Sequence, residues 1–182
     1  MNIFYLDKDP DRAARSMINK HVSKMIVESG QLLSTAHRYL DGTEAIKLSK
    51  NNRRLKYWIH PDSNLDEVLY KSCFLNHPSG VWTRASAENY MWLYNHFVAL
   101  GAEFKRRYKK DHLTIVKLTQ ALSVPPKNIP NIGFTEPAQA MPDEYKDANS
   151  LTAYHNYYKA EKLKLGTDED RARYFEFYPE NL

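Results

Sequence analysis

Read for the spacing of its apolar positions, the chain is a succession of helices separated by polar and proline-rich stretches. Asp9 reads as an N-cap with Pro10 at the first helical position. From there to about residue 40, Ile18, Val22, Met25, Ser29, Leu32, Leu33, Ala36 and Leu40 recur every three or four positions and mark a buried face. Gly30 weakens the middle of this run and is the expected place for a kink that divides it into two helices. Ahead of it, residues 3–6 are a short β-prone run closed by the turn Asp7-Lys8-Asp9-Pro10.

From residue 41 to about 66 the periodicity gives way to turns and charge. Asp41-Gly42 and His60-Pro61-Asp62 are turns, Lys50-Asn51-Asn52-Arg53-Arg54 is a basic loop, and Leu55-Lys56-Tyr57-Trp58-Ile59 is a short strand or an aromatic loop. The segment reads as a surface excursion carrying positive charge and two aromatics. Residues 67–74 read as a helix that leads into Asn76-His77-Pro78-Ser79-Gly80-Val81-Trp82-Thr83-Arg84, the densest cluster of polar and aromatic groups in the chain. Asn76 or His77 caps a short helix opened by Pro78, and Ser86 restarts a longer, central helix through about residue 110. Further helices are expected over residues 113–122, capped by Asp111 or His112, and over about 151–165, capped by Asn149 or Ser150. Between them residues 123–149 form an extended Pro-rich connector. After Gly166 a charged and then aromatic tail packs back onto the body. The expected fold is mostly α: a compact single-domain helical bundle over residues 1–182 with long irregular Pro-rich segments.

Composition narrows the class of partner. With 42% hydrophobic and 26% charged residues in 182, the chain is an ordinary globular protein with a sizeable core. A net charge of +4 favours phosphate-bearing partners, and 13 Tyr with 3 Trp suit flat ones, although each aromatic taken singly serves a helical core equally well. Cys73 is the lone cysteine, which excludes an internal disulfide and fits a reducing cytoplasm; among Ser72, Phe74 and Leu75 it reads as a packing residue. The chain has no long apolar run and its start is too short and acidic for a signal peptide, so no membrane partner is expected.

The seven histidines show neither a His-Glu-x-x-His pair nor paired Cys/His spacing, and there is no P-loop, Gly-rich dinucleotide fingerprint or nucleophile elbow. No metal and no cofactor are expected from local motifs; a zinc or iron site would have to be assembled from remote segments. What remains is a polar seam, His21, Lys24 and Glu28, along the edge of the first buried face. Asn76, His77, Ser79, Trp82 and Arg84, with Asn89, gather at the N-terminal end of the central helix, where free N–H groups and the helix dipole favour an anion. Arg84 and Lys24 suit phosphate, Trp82 and the Tyr-rich last helix suit stacking, and Asn76 or Asn89 suits a base edge. His37 and Arg38 either meet a phosphate or cap the end of their helix, and Thr135, Glu136 and Gln139 lie on rigid irregular backbone as a further wall.

The stretches Asn19-Lys20-His21-Val22-Ser23-Lys24-Met25, Leu33-Ser34-Thr35-Ala36-His37-Arg38, Asn76-His77-Pro78-Ser79 and Thr135-Glu136-Pro137-Ala138-Gln139-Ala140-Met141-Pro142-Asp143-Glu144-Tyr145 resemble a family of small uncharacterised tailed-phage proteins. More distantly, the order of helices, the basic long helix and the closing Tyr157-Tyr158-Lys159 are similar to phage pyrimidine-dimer DNA glycosylases. That resemblance implies a compact α-helical protein that grips the DNA backbone and cleaves an N-glycosidic bond with a terminal amine and a first-helix Glu. Two positions depart from it. Asn2 is too large for ordinary Met removal, and Asn19-Lys20-His21 stands where the Glu is expected, so terminal-amine lyase chemistry is not expected and proton transfer falls to Glu28 or His21.

The leading expectation is therefore a phage-type protein of the host cytoplasm that binds DNA or a nucleotide, with a glycosylase-like hydrolase reaction at a base–sugar bond. His21, Lys24 and Glu28 are its catalytic candidates. The alternative is a non-catalytic nucleotide-binding protein with an anti-defence role, sequestering a host defence signal. A third is a structural interaction protein; homo-oligomers remain open.

Overall fold

In the computed structural model, which describes residues 1–181, the first helical run is two helices, but the break is not at Gly30. α1 (Pro10–Ser16) is capped by Asp9, whose side chain accepts the Asp11 N–H. Met17 and Ile18 are then extended, and α2 (Asn19–Asp41) runs without interruption to the hairpin. The break is held by distant groups. The Tyr158 hydroxyl accepts the Ile18 N–H, Asp170 accepts the Asn19 N–H, and Arg107 donates to the Met17 carbonyl. Gly30 stays helical because α6 (Leu113–Leu118) lies on it: a Cβ there would come within 3.0 Å of Thr114 and Leu118 side chains.

The excursion at 41–66 contains an antiparallel hairpin, β1 (Thr43–Leu48) and β2 (Arg54–Ile59), with Thr43 opposite Ile59 and Leu48 opposite Arg54. Both faces are largely open to solvent; Trp58 is the buried exception. α3 is Ser63–Val68, capped by Asp62, rather than a helix over 67–74. The chain beyond it is drawn out of helical geometry by Arg38, whose guanidinium takes the carbonyls of Trp58, Asp66, Leu69 and Tyr70 as well as the Asp66 carboxylate.

α4 (Pro78–Ala85) and α5 (Ala87–Tyr108) are separated at Ser86, which is extended and accepts the Glu88 N–H, as expected. α6 is capped by His112 and stops at Leu118. The connector over 123–149 carries one short 3-10 turn, Asp143–Tyr145. α7 (Ser150–Tyr157) then starts at an Asn149 cap and continues through a π-turn, Tyr158–Lys162, to a 3-10 turn, Leu163–Leu165. The tail forms an unexpected helix, α8 (Asp168–Phe177), started by a reciprocal Thr167/Asp170 capping box.

With 57% of the chain helical, the mostly α expectation holds. α2 packs along α5, α1 also lies on α5, and α4 lies on α2. Residues 3–6 form no strand. They are core, with Ile3 and Leu6 fully buried, and Tyr174 and Tyr178 from the other end of the chain join the same cluster. The basic end of α5 is partly structural. Arg106 and Arg107 both hold the buried Glu103, and Arg107 also donates to the Arg15 carbonyl and to Asn19.

Candidate functional site

Glu28 is the point at which separated parts of the sequence meet. Lys24, one helical turn earlier, places Nζ 3.4 Å from Oε1. The Asn2 backbone N–H donates to Oε2 at 2.9 Å, and the Met1 nitrogen is 3.9 Å away. Asn2 holds this approach: its side-chain oxygen accepts the Ile3 and Phe4 N–H groups, and its amide donates to the Ala140 carbonyl of the connector. Phe4 pays for the tight path with a left-handed backbone (φ 44), costly for an aromatic residue by about 1–3 kcal/mol. His77 approaches from the start of α4. Burial and the positive Met1 nitrogen lower its pKa, while Glu28 and the Met1 carbonyl work against them.

α4 then runs alongside α2 in the same direction. His77 lies toward Glu28, Gly80 sits against Leu32 so closely that an added Cβ would be 3.4 Å from its side chain, and Arg84 lies over the Tyr39 ring at 4.5 Å. From Glu28 to Tyr39 the rise along α2 is about 16 Å. Arg84 is half-buried, burial lowers its pKa, and its Nη1 has no hydrogen-bond partner. Tyr39, 45% exposed, is 5.9 Å from Trp58 of β2. Beyond Trp58 the hairpin exposes Lys47, Lys50, Arg53, Arg54 and Lys56, with Glu44 as its acidic residue, paired to Lys56 at 2.9 Å. A carboxylate, an unpaired guanidinium on an aromatic face and a basic ribbon thus lie in sequence along one side of α2.

Other expected site residues serve different ends. His21 stacks on Phe4 at 4.5 Å, and its Nδ1 is 2.9 Å from the Tyr158 hydroxyl; burial, with Lys162 and Lys24, pushes its pKa down to about 4. It is a neutral packing group two turns from Glu28. The anion site expected at the central helix N-terminus is closed: Pro78 has no N–H, His77 accepts that of Ser79, and those of Gly80 and Val81 go to the His77 carbonyl. On α5, the Ala87 N–H goes to the Pro130 carbonyl and that of Glu88 to Ser86. The Trp82 indole, buried, donates to the Thr135 carbonyl, and Asn89 brackets Thr135 while donating to the Trp82 carbonyl. Glu136 accepts the N–H and hydroxyl of Ser150, and Gln139 brackets Asp147. These side chains strap the connector to α4, α5 and α7. Ser79 is buried with its hydroxyl unpartnered, Asn76 is exposed, and Arg38 has every donor direction filled from within the chain.

No family model, curated protein or solved structure matches the chain. No helix is long and apolar enough to cross a membrane among the described residues.

Two features lay outside the sequence-based expectations. Tyr39 carries no motif and acquires its place only when α4 lies along α2. The second feature lies at the hairpin root, where His37, expected either to meet a phosphate or to cap its helix, is buried beside His60 and the half-buried Asp41. His37 Nε2 is 2.9 Å from the Tyr90 hydroxyl, and burial pushes its pKa down to about 4, with His60 adding and Asp41 and the Val124 carbonyl opposing. These residues line a cavity of about 600 Å³ between the end of α2 and residues 120–128.

Proposed function

We propose that this chain binds a nucleic acid along the strip from Glu28 through Arg84 and Tyr39 to the basic hairpin, and that Glu28 moves a proton in cleavage of a base–sugar bond. The observation that carries the reading is Arg84. A half-buried guanidinium stacked on an exposed tyrosine offers a phosphate its charge and the neighbouring base an aromatic face, although the unpartnered Nη1 is itself closed to solvent. The hairpin adds non-specific phosphate contacts on a ribbon open on both faces.

In hydrolysis of the base–sugar bond, water adds to the anomeric carbon as the base leaves with the bonding pair. Glu28, held by Lys24 and the Asn2 N–H, takes the proton of that water, and the departing base gains one from solvent. His21, sealed in the core, has no part in it. Glu28 lies on the long N-terminal helix, two turns beyond the position at which the dimer glycosylases are expected to carry their Glu.

Fluorescence anisotropy with a labelled single-stranded oligonucleotide tests the binding half. Arg84→Ala is expected to weaken binding about tenfold and to lower the slope of log affinity against log salt by about one contact. Glu28→Gln is expected to leave affinity within about threefold. Binding that ignores both Arg84 and salt overturns the proposal.

A second reading is favoured by the cavity beneath His37, whose volume of about 600 Å³ falls in the range of small-ligand sites. Here the chain holds a nucleotide without converting it. A nucleotide recovered intact from the denatured protein, with no affinity for longer DNA, would select this reading.

A further inference from the structure

The hairpin root carries a constellation that the strip does not use. His37 and Asp41 lie one turn apart at the end of α2, and His60 directly follows β2. Pairing Thr43 with Ile59 therefore brings His60 back over the last turn of α2. One ligand atom from each of the three residues lies within 4.8 Å of the others, and His60 Nε2 is 3.9 Å from Asp41 Oδ2. His37 is 3% exposed and His60 6%, and neither His37 Nδ1, which has only the Val124 carbonyl near it outside hydrogen-bond geometry, nor His60 Nε2 has a hydrogen-bond partner. Two buried imidazoles, each with an unanswered nitrogen beside a buried carboxylate, carry a cost that a bound group removes.

We infer that His37 Nδ1, His60 Nε2 and the Asp41 carboxylate bind a divalent first-row transition ion of the zinc type. The hydrogen bonding prepares His37 for this. The Tyr90 hydroxyl donates its proton to the Leu122 carbonyl, so it accepts from His37 Nε2 and leaves the Nδ1 lone pair for a metal. Asp41 is oriented in the same way, its two oxygens accepting the Lys127 and Asn128 N–H groups. The C-terminal end of α2 adds the negative pole of its dipole.

His60 must change. Its Nδ1 accepts the Asp62 N–H at 3.1 Å, so in the neutral ring Nε2 carries the proton. On metal binding that proton passes to Nδ1, and exposed Asp62 turns its N–H to water. Tetrahedral coordination at usual bond lengths places donors about 3.3 Å apart, so the three residues draw together by about an ångström. Two imidazoles with one carboxylate match zinc-type ions and not magnesium or calcium, which take oxygen sets. A water or ligand atom from the adjoining cavity completes the shell, and the ion ties the hairpin to α2.

The test uses the full chain, freed of metal with a chelator. Titration with Co²⁺ is expected to give the visible bands of a four-coordinate site at one ion per chain, displaced by Zn²⁺ and unaffected by Mg²⁺ or Ca²⁺. At a hundredfold excess over its dissociation constant, Zn²⁺ should raise Tm by roughly 5–10 °C. Asp41→Asn and His60→Gln should each weaken Zn²⁺ binding more than about 100-fold, and Tyr90→Phe, which removes the acceptor of His37 Nε2 and the donor to the Leu122 carbonyl, about 10–100-fold. Circular dichroism of each variant confirms the fold, and His60→Gln serves should Asp41→Asn not fold. Zn²⁺ affinity unchanged in folded His60→Gln, or no Zn²⁺ binding by the folded wild-type chain at millimolar concentration, overturns the inference.

Discussion

Taken from about pH 7.5 to about pH 5, the chain is expected to lose about 6 kcal/mol of unfolding free energy, largely through three buried histidines. Burial pushes the pKa of His21 and of His37 down to about 4 and that of His96 to about 3, from an ordinary 6.5. Below pH 6.5 the unfolded chain takes up a proton at each position while the folded chain does not. Stability is thus fully present above 6.5 and falls by about 1.4 kcal/mol per pH unit for each histidine, until the folded pKa is reached. Summed to about pH 3, the loss is about 12 kcal/mol, comparable to the whole stability of an ordinary domain, so the protein should unfold in acid. His96 is the sharper case: it is fully buried, 5.1 Å from Trp92, and neither ring nitrogen has a partner. His96→Leu should remove about a third of the pH dependence and be neutral or stabilising at pH 7.5, because it replaces unsatisfied polar atoms with an apolar group. Urea unfolding followed by circular dichroism across this range measures both effects. A stability unchanged between pH 7.5 and pH 5 would mean that these rings are solvated in the folded protein.

Arg38→Ala should destabilise the chain by about 4 kcal/mol or more. The guanidinium is buried and ties α2 to the end of β2 and to α3, through the carbonyls of Trp58, Asp66, Leu69 and Tyr70. Its removal leaves those carbonyls without a donor, and the hairpin root loses its attachment. The Asp66 ion pair adds less, because that carboxylate is 37% exposed and screened. Lysine, with a compact head and no planar fork, cannot span the same carbonyls, so Arg38→Lys should recover less than half of the loss. Denaturant midpoints for the two variants check this, and an Arg38→Ala variant within 1 kcal/mol of the wild type would contradict it.

The helix starts at Pro10, Pro78, Ala87, Leu113 and Ser150 were legible because each depends on a cap within three residues: Asp9, His77, Ser86, His112 and Asn149. The break at Met17 and Ile18 was not. Its backbone groups are satisfied by Arg107, Tyr158 and Asp170, and no residue near the break announces them. Gly30 was misleading for the same reason, since its missing side chain makes room for α6 and does not bend the helix.

The hairpin lacked the alternating pattern of a half-buried strand because both of its faces meet solvent. At the candidate site, Lys24 and Glu28 were legible from helical spacing alone, and Arg84 from its motif. Thr135, Asn89 and Trp82 carried the same polar and aromatic signals, yet their hydrogen bonds join one another. Sequence shows which groups are able to bond, and only packing shows which remain free.

Glu28 is proposed to serve a reaction at the base–sugar bond. The most direct test is the release of free base from ultraviolet-damaged or otherwise modified DNA, followed by mass spectrometry for the wild type and for Glu28→Gln at equal DNA occupancy. Release by the wild type, reduced at least about a hundredfold in Glu28→Gln with DNA affinity retained, is the predicted result. Release at an undiminished rate from Glu28→Gln, or none from a wild-type protein saturated with such DNA, would contradict it.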